Sequence, residues 1–129
     1  PHEIRIPEIG ELMERPDAQV AFYDIASGQL VRSIKPELRD ITAMAFQPET
    51  DDLFVGDFSW SDHESGGIYR IRLVGESFEV NKIADVRRAT AMTFQNESTL
   101  LVTCLGADNK ESPSDEAHSG QLIRLKIPR

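Results

Sequence analysis

A six-residue string that returns 48 positions later constrains this chain more than any other feature. Thr42-Ala43-Met44-Ala45-Phe46-Gln47 reappears as Thr90-Ala91-Met92-Thr93-Phe94-Gln95, with five of the six positions identical. A fixed period of that size marks stacked supersecondary units, none of which buries its apolar face alone. The chain is therefore expected to fold as an array of like units that cover one another's faces.

Within the period, alternation of apolar and polar residues predicts strands. Residues 20–25 read as a strand, Ala26-Ser27-Gly28 as a tight turn, and residues 29–34 as the returning strand. Residues 41–46 carry the first motif copy, Gln47-Pro48-Glu49-Thr50-Asp51-Asp52 has turn chemistry, and residues 53–59 form the next strand. Residues 68–73 and 78–86 predict a hairpin joined through Gly75. The cycle then restarts with residues 89–94, 100–105 and 120–127. His2-Glu3-Ile4-Arg5-Ile6 alternates like a further strand, and a single helical turn is expected between Pro7 and Pro16.

Four antiparallel strands in about 48 residues is the pattern of a β-propeller blade. The expected fold class is all-β, a propeller segment of about two and a half four-stranded blades. Residues 18–40 end one blade, 41–88 complete a second and 89–127 begin a third, which the strand at 2–6 completes in one arrangement. A closed propeller needs about four or more blades, and an open array exposes unpaired edges. The expected partner is therefore a second copy of the chain or the remainder of a larger one. That the chain begins with Pro1 rather than Met points to a processed product or a cut piece.

The net charge of −8 argues against nucleic acid and against anionic membrane surfaces, since both select a Lys/Arg excess. The longest uncharged run, residues 41–48, is far too short to span a bilayer, and no signal-like stretch is present. A soluble protein is expected, with its compartment left open. The single cysteine, Cys104, allows no intrachain disulfide and reads as a small buried apolar residue. Met44 and Met92 read as packing residues, and Arg70, Arg72, Arg87 and Arg88 as surface charges.

Two loops carry the candidate site. Asp57-Phe58-Ser59-Trp60-Ser61-Asp62-His63-Glu64-Ser65 offers carboxylates, an imidazole and an aromatic ring. Asp57, Asp62 and Glu64 are candidate ligands for a divalent cation such as calcium, because hard cations take carboxylate oxygens. Asp57, Trp60, Asp62 and His63 are candidate ligand-binding residues, with Trp60 suited to stack on a sugar or ring. The matching loop from Asp108 to His118 adds acids and His118. The competing readings are a solvated connection with a packed Trp60, and an acidic surface loop. No P-loop, dinucleotide fingerprint, nucleophile elbow or zinc-ligand spacing occurs.

The strings Ile41-Thr42-Ala43-Met44-Ala45-Phe46-Gln47-Pro48, Leu53-Phe54-Val55-Gly56-Asp57 and Gly67-Ile68-Tyr69-Arg70-Ile71 resemble a blade of the NHL-repeat and senescence-marker (gluconolactonase-like) six-bladed propeller families. The resemblance covers residues 18–127 and implies architecture more than activity. In the metal-dependent members the ligands are acidic and amide side chains on inner strands. Asp57 sits at a comparable position, and its counterpart in the second copy is Cys104 or Leu105, depending on the turn. Two functions follow as expectations. The first is a non-catalytic binding module that presents both loops. The second is a metal-dependent enzyme of the lactonase or lyase type, using Asp57 in a central funnel.

Overall fold

The computed structural model describes residues 15–60, 66–105 and 120–128. The expected strand at residues 2–6 and the expected helical turn, apart from its last two residues, lie outside them. The described residues form nine strands and no helix: β1 (Val20–Tyr23), β2 (Leu30–Ile34), β3 (Ile41–Phe46), β4 (Leu53–Asp57), β5 (Gly67–Val74), β6 (Ser77–Ala84), β7 (Ala89–Asn96), β8 (Thr99–Cys104) and β9 (Gln121–Lys126). All pairings are antiparallel between sequence neighbours. They make a first sheet of β1-β2, a middle sheet of β3-β4-β5-β6 and a third sheet of β7-β8-β9.

Local chemistry moves several strand ends from their expected places. The first strand stops at Tyr23 because Asp24 starts a turn: its Oδ1 accepts from the Ser27 amide and its carbonyl from the Gly28 amide. Gly28, at φ 71°, supplies the left-handed conformation that closes this turn, and Ile25 is left fully exposed. The strand expected over residues 53–59 ends at Asp57, where Ser59 turns away with φ 42°. Gly75, at φ 59°, makes the tight β5–β6 turn.

Within the middle sheet β4 is buried from both sides, which accounts for its continuous apolar run. Successive β4 residues point to opposite faces. Leu53 and Val55 join Val20, Ile34, Leu38 and Ile71 in one core cluster, shared with the first sheet. Phe54 joins Ile68, Ala89, Leu100, Val102 and Cys104 in another, shared with the third sheet. There the Phe54 and Phe94 rings meet edge to face, with centroids 5.1 Å apart.

Polar bonds also cross between sheets. The Thr42 hydroxyl donates to the Ala89 carbonyl at 2.5 Å, and Gln47 Nε2, on a buried side chain, donates to the Glu97 carbonyl at 2.7 Å. The Arg32 guanidinium reaches the Gly75 and Ser77 carbonyls at 2.8 and 2.9 Å. Gly56 lets β7 approach closely, since a Cβ there would lie 3.0 Å from the Ala89 Cβ and 3.3 Å from the Met92 methyl.

The two motif copies occupy equivalent positions. Met44 pairs with Val55, and Met92 pairs with Val102. Ile41 pairs with Asp57, and Ala89 pairs with Cys104. Cys104 is therefore the counterpart of Asp57, buried in the core as a small apolar residue, while Leu105 is exposed. Met44 departs from its expected role. It is 55% exposed, whereas Met92 packs against the core between the middle and third sheets. The difference lies in the neighbouring sheet: among the described residues the first sheet has two strands, and neither covers the Met44 end of β3 as β3 and β4 cover Met92.

Candidate functional site

β4 and β8 run in equivalent positions and deliver their loops at equivalent ends. The chain leaves β4 at Asp57 and enters β5 at Gly67; it leaves β8 at Cys104 and enters β9 at Gln121. Both departures are latched by the same backbone bond. The Phe58 amide donates to the Asp40 carbonyl at 2.8 Å, and the Leu105 amide donates to the Arg88 carbonyl at 3.0 Å. The chain therefore leaves β4 and β8 at the same edge of the sheet stack.

Asp57 is 1% exposed, and its carboxylate is engaged by the backbone. Oδ2 accepts from the Arg39 amide at 3.0 Å, and Oδ1 accepts from the Asp40 and Ser59 amides, each at 3.1 Å. These bonds tie residues 39–40, which lead into β3, to the turn that follows β4. In this position Asp57 acts as a cap on two chain segments. Gly66 closes over the same turn, where a Cβ would sit 3.2 Å from the Asp57 carbonyl oxygen. Trp60 is 47% exposed and leans on the buried Phe58, with ring centroids 4.8 Å apart and planes at 48°. This holds one indole face at the loop edge.

Of the other candidate residues, Asp62, His63, Glu64 and His118 lie outside the described residues. Among the described residues no group of three or more His, Cys, Asp or Glu side chains converges as a metal cluster. Among them, too, no helix is long and apolar enough to cross a membrane.

At the other end of β4 the structure brings together a pair that the sequence reading treated separately. Arg72 Nε donates to Asp52 Oδ1 at 3.0 Å, and Arg72 NH2 donates to Oδ2 at 2.8 Å, a two-point contact. Arg72 is therefore more than a loose surface charge. Its guanidinium holds the Asp52 carboxyl below the usual carboxylate value of 3.8, and the carboxylate in turn raises Arg72. The strand register sets the contact: Leu53 pairs with Ile71, which puts Asp52 beside Arg72. The pair lines a groove of about 240 Å³ together with Arg70, Glu49, Glu97 and Pro128, a mixture of both charges.

A second groove, of about 270 Å³, lies between β1 and the open side of β3. Its walls are Val20, Ala21 and Phe22, and its floor is Met44, Phe46 and Leu53. No family model, no curated protein and no solved structure matches the chain.

Proposed function

We propose that this chain is a non-catalytic binding module built on β-propeller-type stacking, part of a larger propeller or a partial one that assembles with copies of itself. The observation that carries this reading is the middle sheet. It has four antiparallel strands in sequence order, and core clusters join it to a neighbouring sheet on each face, the third sheet in the register of the internal repeat. Each such unit is a rigid platform with loops at one edge, and binding residues concentrate on loops held that way. Half-exposed Trp60 at that edge supplies an aromatic contact surface.

The rival, a metal-dependent lactonase or lyase, needs Asp57 free to coordinate. Its two oxygens are instead engaged by the amides of Arg39, Asp40 and Ser59, which favours the binding reading. Calcium titration followed by thermal unfolding tests the choice. The binding reading predicts no stabilisation that depends on Asp57. A calcium-dependent rise in Tm that Asp57→Ala abolishes would overturn it in favour of the enzyme.

A further inference from the structure

The groove between β1 and β3 has a counterpart elsewhere in the chain, and that counterpart is filled. Met44 and Phe46 form its floor and are 55% and 57% exposed. Their repeat copies, Met92 and Phe94, pack into the core shared with the middle sheet. What covers them there is the inner pair of strands, β3 and β4. Phe54 lies edge-on to Phe94, and Gly56 lies under the Met92 methyl. In the first sheet, no strand of the described residues pairs with the corresponding edge of β1.

The repeat also fixes the register in which that edge would be used. β1 stands where β5 stands in the middle sheet: Val20 pairs with Ile34 as Ile68 pairs with Ala84. β5 carries β4 on its other side, with Phe54 opposite Arg70 and Gly56 opposite Ile68. Counting along, a strand added to β1 would place its Phe54-like residue opposite Phe22 and its Gly56-like residue opposite Val20. Phe22 and Val20 belong to the core between the first and middle sheets, so the Phe54-like ring is directed at Phe46. That contact is the same one that Phe54 makes with Phe94.

We propose that this groove is a strand-addition site. Its occupant is an antiparallel β-hairpin of the β3–β4 pattern, supplied in trans, which pairs along β1 and seats an aromatic side chain on Phe46. Main-chain bonds to an open edge supply affinity, and pockets for alternate side chains supply selectivity. The inference rests on the reading of the chain as stacked like sheets, and names the partner that such a stack would take.

The test uses the full chain and a fluorescent synthetic peptide of residues 41–58. Anisotropy should show saturable binding, and hydrogen exchange should show new protection in β1. Phe46→Asp or Met44→Asp in the chain, both at exposed positions, should weaken binding about tenfold or more. Asp in place of the peptide's phenylalanine at position 54 should do the same. Leu122→Asp, on the far face of the third sheet, should leave binding unchanged. No saturable binding, a scrambled peptide binding equally well, indifference to Phe46→Asp, or protection appearing at β9 instead of β1 would each overturn the proposal. Energetic coupling between Phe54 and Phe94, measured by a double-mutant cycle on the free chain, separates the two readings. If it is strong while the peptide fails to bind, the stack stands and only the addition site falls. If it is absent, the stacking reading itself falls.

Discussion

Replacing Asp57 with alanine, with EDTA present, separates a backbone cap from a metal ligand by the sign of the effect. As a cap, the carboxylate satisfies the amides of Arg39, Asp40 and Ser59. An unsatisfied buried donor costs about 1–3 kcal/mol. Ser59 is 1% exposed, so its amide bears the larger part of that range, whereas Arg39 and Asp40 are half-buried and their amides regain some water. The sum is a loss of about 3 kcal/mol in unfolding free energy. Asp57→Asn should lie between wild type and alanine, since one carbonyl oxygen can still serve Asp40 and Ser59, while the amide NH₂ faces the Arg39 donor. Urea unfolding, with m unchanged, measures both variants. A metal ligand behaves oppositely: with the ion removed, deleting a buried charge is neutral or stabilising. A loss below about 0.5 kcal/mol for Asp57→Ala would refute the capping argument.

Further predictions follow from other parts of the stack. Gly67→Ala should destabilise by about 2 kcal/mol or more, because at φ 143° the added Cβ would sit 2.5 Å from the Ala84 carbonyl oxygen; urea unfolding reads it. Asp52→Asn should remove part of the acid dependence of stability. The Asp52 carboxyl is held below 3.8 when folded, so its contribution is present above that value and is lost as pH falls through the lowered folded value. Unfolding curves for wild type and variant between pH 2 and 7 should converge at the acid end; parallel curves would refute the assignment. Gln47→Ala should cost about 1–2 kcal/mol in urea unfolding, because it strips the cross-sheet bond from the Glu97 carbonyl.

The parts of this fold legible in the sequence are those set by local pattern. The Ala26–Gly28 turn, the Gly75 hairpin and the repeated motif each follow from neighbours within a few residues, and the nine described strands lie near where alternation places them, with ends such as Tyr23 and Asp57 moved by turn chemistry. Asp57 was visible as a residue of interest, but its role was not. Its partners at Arg39 and Asp40 lie 18 and 17 positions upstream, and only the closure of β3 on β4 brings them near. The pairing of Cys104 with Ala89 likewise depended on a turn one residue shorter between β7 and β8, which shifts register without changing the strand pattern. Met44 and Met92 show the limit most plainly. They share the same residue and the same motif, yet one is exposed and the other packed, because burial is decided by the adjoining sheet rather than by the strand itself.

The central claim is that the repeated sheets bury one another's faces through their motif residues. A double-mutant cycle on Phe54 and Phe94, each changed to leucine, measures it directly. The edge-to-face pair at 5.1 Å predicts a coupling of about 0.5–1.5 kcal/mol in unfolding free energy. Strict additivity of the two substitutions would contradict the stacking of the middle sheet on the third.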